Sequence, residues 1–270
     1  MTDRSVMSFG PARQDDPPSE RSCASQRKPR ILVLTLHSGE AEFSECCASV
    51  LRQEDVDVTH RVFSGLSNTE AHHRLYQDIM DESAAFDVFV KLDADMVLTR
   101  ATALAEVADH FATRPDLDHL VTEVNDHFTG RPIIGVHAFS PRVTWSLAEG
   151  ESLFVDPSPR RPGRRELRPL DLNIFVDHAP SPSPYQAFHF GAHRALKAVQ
   201  AGRKPKNPAR ANEQIGNIKA LEAHYIRTGR HELGIALLGA HMVLTAALPG
   251  ATGDKKNDAI SQAFEHVASM

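Results

Sequence analysis

The sequence predicts an α/β fold: a mostly parallel sheet flanked by helices, with a helical C-terminal part. Three observations predict it. Between residues 31 and 98, apolar runs of strand length alternate with helix-period segments, in the order strand, helix, strand, helix, strand. Such a βαβαβ unit implies parallel pairing through right-handed crossovers. The third run, FDVFVKLDADMVL (Phe86 to Leu98), is apolar enough for a strand buried on both faces. Finally, 270 residues that are 41% hydrophobic and 24% charged suffice for one large soluble domain with a substantial core.

Taken in order, residues 1–28 are rich in Pro, Ser, Arg and Asp without periodicity and read as a disordered arm. Ile31 to Leu36 is the first strand, and His37-Ser38-Gly39 the turn after it. Phe43, Cys46, Cys47, Val50 and Leu51 recur at helical spacing. Val56, Val58, His60 and Val62 alternate as a second strand. Asn68 is placed to cap a helix bearing Ala71, Leu75 and Ile79, and the strand ending at Lys91 follows. Thr99 is placed to cap a helix whose Leu104, Val107, Ala108 and Phe111 face the core. His119 to Val124 and Ile133 to Phe139 read as strands, and Ser140-Pro141 as the opening of a short helix.

Residues 156–169 form a Pro/Arg segment holding Arg160, Arg161, Arg164, Arg165 and Arg168. It reads either as a solvated loop or as a basic lid over phosphates, which guanidinium groups grip in a bidentate manner. Leu170 to Val176 reads as a strand ending at Asp177-His178, and Ser183-Pro184 begins a helix. Asn212 to Arg227 and His231 to Ala247 read as two more helices, the second markedly apolar. The expected organisation is an arm (1–28), a main α/β domain (29–200), C-terminal helices packed on it (201–250) and a tail (251–270).

A net charge of -5 argues against non-specific nucleic-acid binding. Three cysteines, one in the arm and two adjacent, suit no disulfide framework, so a reducing cytoplasm is expected. No apolar run approaches the ~20 residues of a membrane span, and the N-terminus lacks a signal-peptide core. The apolar last helix leaves peripheral membrane association, or a homodimer, open.

In parallel sheets ligands bind at the carboxyl ends of the strands. Thr35-Leu36-His37, Phe63-Ser64-Gly65 and Lys91 to Asp95 therefore converge on one crevice. Asp93 and Asp95, at i and i+2 beyond a buried strand, repel each other and lose solvation unless something neutralises them. A hard divalent cation does this and keeps positions for water and phosphate. The plainer alternative is a solvated loop carboxylate pair.

KLDADMVL resembles the Asp-x-Asp segment of nucleotide-sugar glycosyltransferases of the GT-A (Rossmann-like) fold, family 2 in particular. Upstream, Ser49, Val50, Leu51 and Gln53 match that family's Ser-hydrophobic-Leu-x-Gln signature. The resemblance covers roughly Arg30 to Leu98. One departure is that the second strand ends VFSGLSN, where the family usually has acidic residues holding the nucleoside.

The resemblance implies transfer of a sugar from a nucleoside-diphosphate sugar, a UDP-sugar by preference, to a hydroxyl of a glycan or lipid-linked acceptor. Mn2+ or Mg2+ would be held by Asp93 and Asp95, Asp95 most directly, with Asp93 also reaching toward the ribose or metal-bound water. Lys91 either touches phosphate or pairs with a carboxylate. The family often adds a later histidine ligand; His178, His189 and His193 are candidates, and His178 is preferred because it ends a strand. Thr35, His37 and Asn68 are candidates for the nucleoside contacts. Asp126, Glu151, Asp177 and Glu213 are candidates for the catalytic base, with Asp177 favoured for its neighbour His178. The alternatives are a non-catalytic GT-A-like binding protein, a nucleotidyltransferase, and more remotely a zinc hydrolase built on the histidines.

Overall fold

The computed structural model describes residues 27–147, 158–200, 207–245 and 254–269. Strand β1 (Arg30–His37) pairs in parallel with β2 (Asp57–Ser64) on one side and β3 (Val88–Lys91) on the other. Helices α1 (Phe43–Leu51) and α2 (Asn68–Asp81) are the crossovers between them. Successive strand residues face opposite sides of a sheet. Accordingly Ile31 and Val33 pack into one buried cluster, while Leu32 and Leu34 pack into another. This is why the first strand must be apolar throughout.

After β3 come β4 (Met96–Leu98), α3 (Ala103–Ala112), β5 (Leu117–Asp126) and β6 (Arg131–Phe139). β6 runs antiparallel to both β3 and β5, so the sheet is mixed. The hairpin of β5 and β6 reverses direction in four residues, His127 to Gly130, and puts β6 beside β3. Next come β7 (Thr144–Trp145) and β8 (Pro159–Arg160), which form a short ribbon, then β9 (Arg164–Leu167) and β10 (Val176–His178). β9 and β10 both pair in parallel with β5, β9 on its first half and β10 on its last two residues. β4 closes the sheet antiparallel to β10, giving the order β2-β1-β3-β6-β5-β10-β4.

Helices α4 (Pro184–Val199), α5 (Pro208–Thr228), α6 (His231–Leu244) and α7 (Asp254–Ala268) share two further buried clusters, around Phe188 and around Phe128. α4 and α6 approach backbone to backbone. A Cβ added at Gly191 would meet the Ala236 carbonyl oxygen at 1.7 Å. No helix among the described residues is long and apolar enough to cross a membrane.

Several expectations are corrected. Ser67, not Asn68, caps α2, its hydroxyl accepting from the Glu70 amide. Thr99 caps nothing, because its amide donates to the Phe175 carbonyl, and α3 starts after Thr102. Ser140-Pro141 makes a turn before β7, because the Ser140 hydroxyl is taken by Asp118. The Pro/Arg segment carries β8, which pairs with β7, and β9, which pairs on a free side of β5. The strand expected over Leu170 to Val176 shrinks to β10. The described part of the tail is helix α7, anchored by the buried Ile260. Most of the expected arm lies outside the described residues, as does Glu151.

Candidate active site

The acidic turn is built from the strand outward. The Leu92 amide donates to the Leu34 carbonyl, extending the β1–β3 ladder by one bond, and the Met96 amide closes the turn on the Asp93 carbonyl at 3.0 Å. Leu92, Ala94 and Met96 are buried, while the alternating Asp93 and Asp95 are partly exposed. Packing of the even positions thus orients the odd ones.

The Ser49 and Gln53 pair turns out to hold this turn in place. The Leu98 amide donates to the Ser49 hydroxyl at 3.1 Å. The Gln53 side chain donates to the Ser49 and Arg100 carbonyls and accepts from the Leu104 amide. One helix is thereby stitched to the strand and helix that follow the carboxylates.

β4 lies against β10, with Met96 opposite His178. His178 Nε2 sits 3.3 Å from Asp95 Oδ2, and its Nδ1 sits 2.6 Å from Asp126 Oδ1. Asp126 also accepts from the Thr129 amide at 2.8 Å. Burial alone would push the imidazole pKa down, but the two carboxylates outweigh it and hold it up at about 10. Burial likewise works against the charged forms of Asp95 and Asp126, yet the imidazolium pulls both below the ordinary carboxylate value. The other oxygen of Asp95, Oδ1, is buried without a hydrogen-bond partner. A buried, unsatisfied carboxylate oxygen next to an imidazole is what a cation would relieve, so these residues fit a divalent metal. The Asp126–His178 bond would then orient the imidazole ligand from behind.

Asp93, Lys91 and His178 line a cavity of about 570 Å3. Tyr76, Phe139 and Trp145 form an aromatic wall, with the Tyr76 and Trp145 rings 4.8 Å apart. The other walls are cationic. Arg194 and Lys197 come from α4, Arg210 from α5, and Arg161 and Arg165 from the Pro/Arg segment. Arg194 lies over the Phe190 ring at 4.8 Å and donates to Gln214. In the floor, Arg161 donates to His119 Nδ1 at 3.2 Å, so the His119 proton is on Nε2 and is donated to His137 Nδ1 at 2.9 Å. Burial, helped by His137 and two arginines, lowers the His119 pKa to about 2 and keeps it neutral.

An adjoining cleft of about 370 Å3 is lined by Asn125, Asp126, Arg131, Asp177 and His178 among others. His178 lines both hollows. Asp177 faces this smaller cleft, where it accepts from Asn125 at 3.0 Å, whereas Glu213 lines the cavity of Asp93.

The structure thus puts Asp95 against His178, has Lys91, Asp93 and His178 line one cavity, and turns Asp177 to the adjoining cleft. Thr35, His37 and Asn68 do not line the cavity. Thr35 is fully buried and bonded to His60 Nε2 at 3.0 Å. His37 stacks on Phe43 at 3.9 Å and bonds Ser64. Asn68 lies in the first turn of α2. His189 and His193 contact each other on α4, with His189 3.5 Å from Asn257 of α7.

Arg194 and the His119–His137 pair were not among the sequence candidates. No short motif marks them, since they come from elements far apart in the chain. The Asp126–His178 pair had a signal: both residues end parallel strands.

No protein-family model matches the chain, and no curated protein matches it by sequence. Among solved structures, the chain is similar to a mannosyltransferase from Pyrobaculum calidifontis in complex with GDP-Man and Mn2+. The identity is 14%, the TM-score 0.41, and the match covers 91% of this chain and 82% of that one. A glycosyltransferase involved in glycosylation of the major capsid of PBCV-1 is similar at 15% identity and a TM-score of 0.29, over 42% of this chain and 60% of that one. Both likenesses are distant; the cavity carries the functional reading.

Proposed function

We propose that this chain is a metal-dependent glycosyltransferase of the GT-A type, moving a sugar from a nucleoside-diphosphate sugar, with UDP the first choice of nucleotide, to an acceptor hydroxyl. The observation that carries this reading is the acidic turn at the end of β3. Its Asp93 lines a cavity with aromatic and largely cationic walls, and it leaves one buried Asp95 oxygen unsatisfied beside His178.

Asp93, Asp95 and His178 would hold Mn2+ or Mg2+, which supplies Lewis-acid stabilisation for a departing diphosphate. The protein's own part is to orient and to balance charge. Asp126 fixes the His178 ring through Nδ1. Lys91 and Arg194 put fixed positive charge beside the site of the leaving group. In the reaction the acceptor oxygen bonds to the anomeric carbon as the bond from that carbon to the diphosphate oxygen breaks. The hydroxyl proton passes to a carboxylate in reach. We assign that carboxylate to Glu213, which shares the cavity, in place of Asp177, which faces the adjoining cleft. Thr35 is too enclosed for a nucleoside contact, so the aromatic wall of Tyr76 and Trp145 takes that role in this reading.

The test is calorimetric titration with UDP and GDP, with and without Mn2+, followed by a donor panel read by nucleotide release. Metal-dependent nucleotide binding that falls at least roughly tenfold in Asp95→Ala is expected. Binding that ignores both the metal and this substitution would overturn the reading. Glu213→Gln is expected to lower turnover by about 100-fold or more, and Asp177→Asn by far less; the reverse order would return the base to Asp177.

A further inference from the structure

Most arginines described in this chain answer a carboxylate. Arg61 pairs with Asp78, Arg142 with Asp118, Arg164 with Asp116 and Arg168 with Glu123. The side chains of Arg165 and Arg210 have neither an ion pair nor a hydrogen bond with any described residue, and that of Arg161 has only its bond to His119. All three line the cavity of Asp93. They lie close enough that Arg161 and Arg210, together with burial, pull the Arg165 guanidinium below its usual value.

The segment 164–168 shows the sorting residue by residue. Arg164 and Arg168 reach out to Asp116 and Glu123, while Arg165 lines the cavity. α5 repeats the theme. Its first turn has no acidic residue, although acids are favoured at the positive end of a helix, and it presents Arg210 instead. Like charges gathered at a cavity and left without a direct ion pair match an anionic ligand.

This group is separate from the acidic turn. Arg165 pairs with His119 on β5, and His178 pairs with Asp126 on the same strand. Seven residues along a strand span about 23 Å between the two backbones. Arg165 therefore starts from the opposite end of β5 to the partner of His178.

We propose that Arg161, Arg165 and Arg210 form a second anion site, which holds a phosphate group carried by the acceptor. This deepens the transferase reading and rests on it. Arg210 and Glu213 are i and i+3 on α5 and share a face, so the acceptor would be gripped one turn from the group that takes its proton.

The experiment uses the full chain and two probes: glucose 1-phosphate in solution, and phosphatidylcholine vesicles carrying polyprenyl phosphate. Vesicles in which phosphatidylglycerol supplies the same charge serve as the control. Arg165→Ala/Arg210→Ala and Arg165→Lys/Arg210→Lys are compared with wild type, and melting curves confirm that each is folded. The wild type is expected to bind one probe, with the alanine pair at least roughly tenfold weaker, the lysine pair largely restored, and UDP or GDP affinity with Mn2+ within about twofold of wild type. Binding of glucose 1-phosphate identifies a soluble acceptor, and binding of polyprenyl phosphate vesicles alone a lipid-linked one. The site is overturned if neither probe binds, if the control vesicles bind equally, or if the alanine pair loses nucleotide affinity in parallel. If the phosphate probe binds but nucleotide with Mn2+ does not, the anion site stands and the transferase reading falls.

Discussion

Asp118 is an anionic hub. Its carboxylate is fully enclosed and accepts from the Ser140 hydroxyl, the Arg142 guanidinium and the Gly163 amide. Burial works against the charge, but these donors outweigh it and hold the pKa below 3.8. The stabilisation is therefore complete above about pH 4 and fades as pH falls through the lower folded value. Asp118→Ala strands three donors and is expected to cost about 3 kcal/mol, read by urea denaturation at pH 7. His119 has the same sign. Its folded value, about 2, lies below the 6.5 of a free imidazole, so the unfolded chain takes up the proton first and stability declines as pH drops below about 6.5. The wild type is expected to lose up to ~1.4 kcal/mol per pH unit more than His119→Gln between pH 6 and 4; parallel curves would contradict a neutral His119. At the proposed metal site, Asp126→Asn weakens the bond that orients His178, and Mn2+ affinity by electron paramagnetic resonance is expected to fall ten- to a hundredfold.

Among the elements, the contact of α4 with α6 is the least tolerant of added volume. Gly191 faces the Ala236 carbonyl and Gly239 faces the Phe188 carbonyl, where a Cβ would come within 2.2 Å. Gly191→Ala is expected to destabilise by about 1–3 kcal/mol, or to separate the helices, as a lowered thermal midpoint. The periodicity of Ala71, Leu75 and Ile79 made α2 legible, and the unbroken apolar run of Ile31 to Leu36 made β1 legible, because both are decided by local pattern. β9 was not legible. Its sequence, RREL, has no strand character, and it is a strand only because β5 offers an edge. The acidic turn was visible in Asp93 and Asp95. The failure of Thr35 was hidden, since only the fold shows that His60 and the core close over it.

Across the whole molecule, charge is unevenly placed. The chain carries a net charge of -5, yet five arginine and lysine residues beyond Lys91 line one cavity. Low-dielectric walls focus such a field, and salt screens its exposed part over about 8 Å at physiological strength. Phosphate-ester affinity is thus expected to fall steeply between 50 and 500 mM salt, while the melting midpoint changes little. Finally, β5 holds the strand partners of both proposed sites, pairing with Arg165 near its start and His178 at its close. One rigid rod thus works as a ruler. With the acceptor's phosphate held at Arg165 as proposed, chain length in the acceptor becomes a selectable property, and a series of phosphorylated glycans with graded spacers should show one preferred size.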